Sequence, residues 1–164
     1  MAIHDSVQSM LRESLPELFL VAKYCIDYQK DFSVWGSTGC YGYPAAILLF
    51  SVADSIGSYV MGGNVRKHFN ILNHKDYYDL KLNQKEVDLI YKKYRSFLVH
   101  NAVMGIDLIL SKGRITDPIY EIKDNKSYFN LLPFLEITQK ALGKFLENSD
   151  MVVGNGKQLI EIIK

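Results

Sequence analysis

Apolar residues recur at helical spacing in four stretches of this chain, and this repeat constrains the fold more than any other feature of the sequence. The stretches run from Asp5 or Ser6 to Phe32, from Pro44 to Met61, from Asn83 through Val103, and from Leu131 to Leu146. Polar residues occupy the remaining positions of each stretch, as they do in amphipathic helices. The pattern therefore predicts helices that bury one face against one another.

Residues that favour helix starts stand at the beginning of three of these stretches. Asn83 and Glu86 fit a capping box, in which each side chain bonds the backbone N–H of the other residue. Pro44 suits the first position of the second helix. Asn130 is expected to cap the last helix, with Pro133 in its first turn.

Two isoleucine-rich runs, at 106–110 and 115–122, interrupt the helical period. They predict a small β-hairpin or extended excursion around 106–122. The remainder predicts an all-α protein, an up-and-down bundle of about four to five main helices. With 164 residues, the chain is expected to form a single domain that covers 1–164.

Composition argues against a metal or cofactor site. The only cysteines, Cys25 and Cys40, do not form a CxxC pair, and a reducing compartment is the natural interpretation. His68 and His74 lack a third ligand and are expected to be surface or capping residues. The glycine-rich segment 33–43 follows no strand and lacks the lysine of a phosphate-binding loop. We therefore expect neither a metal nor a cofactor.

The sequence gives no signal for a membrane. The amino terminus lacks a basic region followed by an apolar core, and the longest apolar run, 45–50, is too short to cross a bilayer. The expected location is the cytoplasm, with no membrane partner.

Charge is nearly balanced overall but not locally. The formal net charge of +1 argues against a protein that coats itself with nucleic acid. Residues 64–100 hold eight Lys or Arg against four Asp or Glu, which is a local charge of +4. A solvated charged face is the commoner explanation for such a region, and attraction of a polyanion is the alternative.

An arginine and a histidine near the end of the third helix form the strongest cluster of reactive groups. On an α-helical wheel, Arg95 and His100 lie on either side of the back of the helix, away from the stripe that contains Tyr94. The back face itself carries Lys92, Ser96, Val99 and Val103. Two valines on that face indicate an apolar cover, so we expect a cleft where two chains meet.

A second helix supplies a carboxylate for this cluster. Asp54 lies on a stripe of small polar residues with Ser51, Ser55 and Ser58, which would let another helix approach closely. Asp54 could hold the Arg95 guanidinium through a charge-assisted bond, or it could face water. The sequence leaves both interpretations open.

Arg95, four intervening residues and His100 resemble the arginine-to-histidine motif of the HEPN superfamily of helical-bundle proteins, and "YRSFLVHNA" is similar to its usual surroundings. The resemblance covers about residues 1–148, with specific support at Arg95, His100 and Asp54. Ser96 stands where the family more often has asparagine. The expected fold is a helical bundle.

The resemblance implies a metal-independent endoribonuclease that acts as a homodimer, with paired motifs across a shared cleft, and that leaves 2′,3′-cyclic phosphate ends. His100 would be the acid and base and Arg95 the phosphate clamp, with Asp54, Ser96 and Asn101 in supporting roles. RNA would be the substrate. For a toxin or defence role, an antitoxin or regulatory protein would be a partner.

Many relatives in that superfamily are non-catalytic interaction or regulatory modules, and this is the alternative function. An arginine and a histidine on one helix can also form a purely structural pair. The two functions differ in a simple observation, because a ribonuclease toxin would arrest growth when expressed and a binding module would not.

Overall fold

Helix α3, Gly42–Val60, is the central element of the core. The computed structural model of the chain describes residues 4, 6–96 and 104–148. Helices α1 and α2 precede α3, at Val7–Asp27 and Phe32–Trp35. After it come α4 (Val65–His68), a 3-10 helix (Phe69–Asn73), α5 (Gln84–Leu89), a π-helix (Ile90–Ser96) and, at the end of the described chain, α6 (Leu131–Asn148).

The sequence of α3 explains its central position. Its alanines and Gly57 are small enough to let α1, α6 and α4 pack closely against it, and several of its larger apolar residues are fully buried, among them Leu49, Phe50 and Ile56. Helix α3 is also long and apolar enough to cross a membrane, by length and composition alone. Its buried residues belong to the shared core of the described chain.

The prediction of an all-α bundle is wrong, because the described residues also form a mixed three-stranded sheet. Its strands are β1 (Leu108–Ser111), β2 (Tyr120–Lys123) and β3 (Lys126–Asn130), in the order β1-β3-β2. Strand β3 is parallel to β1 and antiparallel to β2. The expected hairpin around 106–122 is therefore also misplaced, since β1 and β2 pair with β3 and not with each other.

The turn between β2 and β3 explains where the real hairpin forms. Asp124 and Asn125 both have positive φ, 51° and 60°. Two consecutive residues in this conformation make the tight turn that matches the twist of paired strands, and Asp and Asn tolerate it better than most residues. Asn130 ends β3, and its side-chain amide donates to the carbonyl of Pro118 at 2.7 Å.

Side chains from the sheet complete the core beside α3 and α6. Phe129 of β3 lies with its ring centroid 5.0 Å from that of Phe50 and 4.9 Å from that of Phe134. Tyr94 of the π-helix donates its hydroxyl to the carbonyl of Ser127 at 2.8 Å. The sheet therefore holds the π-helix, and with it the candidate site, in a fixed position.

Candidate functional site

The helix that carries Arg95 begins as predicted but changes its winding. Asn83 Oδ1 accepts from the Glu86 N–H at 3.0 Å, and Glu86 Oε2 accepts from the Asn83 N–H at 2.8 Å, so the capping box is present. The segment is α-helical only to Leu89 and continues as a π-helix. A wheel with constant α-helical rotation does not hold across this change.

Arg95 forms the ion pair that the sequence left open. Its Nη2 donates to Asp54 Oδ2 at 2.9 Å, and the two side chains are only 20% and 17% exposed. The guanidinium carbon also lies 6.0 Å from the ring centroid of Tyr91. Asp54 therefore does not simply face water, and Arg95 is turned toward the body of the protein and half-buried.

His68 completes the cluster on the other side of Asp54. Its Nδ1 lies 3.0 Å from Asp54 Oδ1, and its Nε2 lies 3.1 Å from the carbonyl oxygen of Gly63. Asp54 therefore bridges His68 and Arg95, with one carboxylate oxygen facing each of them.

A close contact between two backbones positions His68. An added Cβ on Gly57 would lie 2.2 Å from the carbonyl oxygen of His68, so only glycine allows α4 to approach α3 this closely. Asn64 caps α4 by accepting from the Lys67 N–H at 3.1 Å. Gly57 follows Asp54 by three residues and lies on the same side of α3. The cap and the glycine together place His68 against Asp54.

A small recess borders this cluster. Its volume is about 160 Å³, and Asp54, Ser55, Ser58 and His68 line it. The Ser58 hydroxyl donates to the carbonyl of Ser55 at 2.8 Å. The stripe of small polar residues therefore borders an opening beside Asp54, in addition to the surface on which α4 packs.

The basic residues of 64–100 are partly neutralised. Arg66 binds Asp88 through two N–H groups, and these bonds, followed by one from Gln84, lower the pKa of the Asp88 carboxyl. Lys93 donates to Asp107 at 3.1 Å and lowers the pKa of that carboxyl. Within the described ranges, four lysines of this region have no carboxylate at ion-pair distance, namely Lys67, Lys75, Lys85 and Lys92.

The predicted site residues divide into those that the structure brings together and those outside the described residues. Arg95 and Asp54 meet, and Ser96 follows Arg95 as the half-buried last residue of the π-helix. Lys92 is exposed. His100, Asn101, Val99 and Val103 lie outside the described residues.

Sequence reasoning missed His68 as a member of the site. The sequence predicts a surface or capping residue, but the His68 side chain is 13% exposed and has a hydrogen-bond partner at each ring nitrogen. His68 and Asp54 are 14 positions apart on different helices, so no periodicity connects them. The one available signal was Gly57, which follows Asp54 at helical spacing and marks a close approach of another segment. Among the described residues, no group of three His, Cys, Asp or Glu could hold a metal ion.

Three comparisons with known proteins provide no assignment. No protein-family model matches the chain, and neither the curated proteins nor the solved structures include a match to it.

Proposed function

We propose that this protein is a metal-independent endoribonuclease that acts as a homodimer, with Arg95 and His100 as its reacting pair. The observation that carries the proposal is the half-buried Arg95–Asp54 ion pair. Arg95 donates to Asp54 through one terminal nitrogen of its guanidinium. The other N–H groups of Arg95 have no hydrogen-bond partner among the described residues and would donate to a phosphate, in a direction fixed by the carboxylate.

The chemistry requires two proton transfers around one phosphorus atom. A neutral imidazole of His100 removes the proton of the ribose 2′-hydroxyl, and the 2′-oxygen forms a bond to phosphorus. The bond between phosphorus and the 5′-oxygen breaks, and an imidazolium, supplied by His100 of the second chain, protonates that oxygen. The products are a 2′,3′-cyclic phosphate and a 5′-hydroxyl end. Arg95 stabilises the additional negative charge on the phosphorane-like transition state.

The local electrostatics support binding of RNA at this surface. Lys67 and Lys92 are exposed and unpaired within the described chain, on segments next to the Arg95 cluster. The Arg95 guanidinium is balanced by the Asp54 carboxylate, so these two lysines supply the positive charge that a phosphate would meet.

The test is cleavage of RNA by purified protein in the presence of EDTA. We expect cleavage with 2′,3′-cyclic phosphate ends, and a loss of about 100-fold or more in His100→Ala, since general acid–base catalysis contributes roughly that much. Arg95→Lys keeps the charge but not the planar fork and should also be impaired. Lys85→Ala, at a lysine of α5 that has no ion pair within the described residues, is the matched control and should cleave normally. Absence of cleavage by the wild type, or full activity of His100→Ala, rejects the proposal.

A non-catalytic interaction module is the second candidate, and one observation favours it. Asp54 uses both carboxylate oxygens and His68 both ring nitrogens in contacts within the chain, as expected of a structural network. Expression in a sensitive host separates the two functions. A ribonuclease toxin arrests growth and His100→Ala relieves the arrest, whereas a binding module causes no arrest with either protein.

A further inference from the structure

A cavity of about 340 Å³ lies away from the Arg95 cluster, between the segment that precedes α3 and strand β1. Met104, Leu108, Leu110 and Leu131 contribute apolar surface to its walls. Small-molecule sites usually enclose about 300–1,000 Å³ and combine apolar walls with a few polar groups. The size and the lining therefore suit one small ligand.

Two lysines reach this cavity from different parts of the chain. The Lys30 N–H donates to the carbonyl of Gly39 at 2.8 Å, and the Lys112 carbonyl accepts from the Leu132 N–H at 2.9 Å, so both backbones are held in place. Neither ammonium has a carboxylate at ion-pair distance in the described residues. The cavity thus has two positive charges without a counterion from those residues.

A cysteine lines the cavity together with the two lysines. Burial raises the pKa of the Cys40 thiol, and the positive charges of Lys112 and Lys30 oppose that shift. Lys30, Cys40 and Lys112 therefore border the same space, and an anion in it would be attracted by both ammonium groups.

Aromatic side chains lie next to the same cavity. Tyr43 lines it and is half exposed. The rings of Tyr28 and Tyr41 are stacked with centroids 4.4 Å apart, and Trp35 meets Tyr41 edge-on at 5.6 Å. The Lys30 ammonium lies 5.0 Å from the Trp35 ring centroid, so this aromatic cluster and the charged wall share one residue. Exposed aromatic faces of this kind can stack on a planar ring.

We propose that this cavity binds a small phosphorylated aromatic molecule of mononucleotide size, with its phosphate between Lys30 and Lys112 and its ring against Tyr43 and the adjoining aromatic cluster. Two ammonium groups match the charge of a phosphate monoester better than that of a carboxylate. The aromatic faces favour a planar ring over an aliphatic chain. Neither Arg95 nor Asp54 lines the cavity, so this site is independent of the proposed ribonuclease site.

Trp35 provides a direct signal for binding, because it is the only tryptophan in the chain. The wild-type protein is titrated with adenosine 5′-monophosphate, adenosine, inorganic phosphate and dodecanoate, and tryptophan fluorescence and heat of binding are both recorded. We expect saturable binding of the monophosphate with at least tenfold weaker binding of the other three. Equal or tighter binding of adenosine, phosphate or dodecanoate overturns the proposed ligand class.

Substitutions of the two lysines test the site itself. Lys30→Gln and Lys112→Gln should each raise the Kd for adenosine 5′-monophosphate about tenfold, a typical loss for one charge-assisted contact. Calorimetry is used for Lys30→Gln, because that lysine contacts Trp35 and its loss would change the fluorescence. Lys85→Gln is the control and should bind normally. An unchanged Kd in the Lys30→Gln, Lys112→Gln double variant rejects the cavity as the site.

Discussion

Asp54 is half-buried, and each of its carboxylate oxygens contacts a different basic side chain. Each of its oxygens has a separate partner, Arg95 at 2.9 Å and His68 at 3.0 Å. Removal of one member of such a cluster leaves the others partly desolvated without a counter-charge. The carboxylate therefore affects both the stability of the fold and the orientation of Arg95.

Replacement of Asp54 by asparagine should reduce stability clearly. We expect Asp54→Asn to lower the free energy of unfolding by about 2 kcal/mol, because the half-buried Arg95 guanidinium loses its anion and the contact with the His68 ring is weakened. Urea denaturation followed by circular dichroism measures the change. Asp27→Asn is the control, since Asp27 pairs with Lys23 on the exposed side of α1 and should cost less than about 0.5 kcal/mol. Equal losses in both variants would mean that the cluster has no special stabilising role.

Tyr94 makes stability depend on pH at the alkaline end. Burial, followed by the nearby Tyr120 and Asp107, raises the pKa of its phenol above the ordinary value. In the unfolded chain a tyrosine loses its proton at about pH 10, whereas Tyr94 in the folded protein still carries its proton at that pH. The folded state then binds more protons, so stability is fully present below that pH and falls as the pH rises further.

Substitution of Tyr94 should separate its effect on stability at alkaline pH from the effect of its hydrogen bond at neutral pH. Tyr94→Phe should flatten the alkaline decline of the free energy of unfolding. At neutral pH it should cost about 1 kcal/mol, because the Ser127 carbonyl loses its donor. Urea denaturation at a series of pH values gives both quantities. Tyr24→Phe, at an exposed position of α1, should match the wild type throughout, and an unchanged alkaline slope in Tyr94→Phe would contradict the assignment.

At the scale of elements, the contact of α3 with α4 depends on Gly57. A methyl group there would overlap the His68 carbonyl, so Gly57→Ala should move α4 outward and cost about 2–3 kcal/mol. Gly143→Ala is the matched control in α6, because an added Cβ there meets no atom within 4 Å. That change should stabilise the protein by about 0.5–1 kcal/mol. Thermal unfolding of the two variants measures the difference, and stabilisation by both would show that α4 moves freely.

The β2–β3 hairpin depends on its two-residue turn. Asn125→Gly should raise the free energy of unfolding by a few tenths of a kcal/mol, because glycine adopts a positive φ without steric cost. Asn125→Val should lower it by about 1–2 kcal/mol through the strain of a branched residue in the left-handed region. Urea denaturation of the pair measures both. The same sign of change in both variants would argue against this turn.

The helices could be predicted from the sequence, whereas the sheet could be predicted only in part. Helix signals are local: Asn83 and Glu86 are three residues apart, and their capping box is present. Strand β3 spans only Lys126–Asn130 and gains its position from pairing with β1, whose partner residues lie 19 positions earlier, as in Leu108 and Ser127. A strand of five residues is too short for its alternating pattern to be detected in the sequence. Its parallel partner is distant in the chain, so no local sequence feature predicts the pairing.

The contacts of the candidate site could also be predicted only in part. The ion pair of Asp54 with Arg95 was one of two interpretations that the sequence left open, because helical spacing gives the face of each residue but not the distance between two helices. The change to π-helical winding before Arg95 has no local signal in the sequence. The arrival of His68 depends on a tertiary contact, the approach of α4 to Gly57. Local periodicity therefore supplied candidates for the cluster and could not choose between them.

At the scale of the whole molecule, several apolar side chains on α1 and α2 are exposed, among them Val21, Tyr24, Phe32 and Val34. Exposed apolar side chains that lie together often mark a contact with another protein. These helices therefore offer an alternative to the back of the predicted helix 83–103, where Lys92, Val99 and Val103 are expected to meet a second chain.

The proposed homodimer can be assigned to one of these two surfaces. We expect the wild type to sediment as a dimer and Val99→Asp to raise the dissociation constant about 100-fold or more, because a carboxylate would be buried without a partner in an apolar contact. Tyr24→Asp, on the exposed face of α1, should leave the dimer intact and its ribonuclease activity unchanged. Sedimentation velocity over a range of concentrations measures both variants. Dissociation by Tyr24→Asp with an intact Val99→Asp dimer would move the interface to α1, and the paired Arg95–His100 cleft would then be excluded.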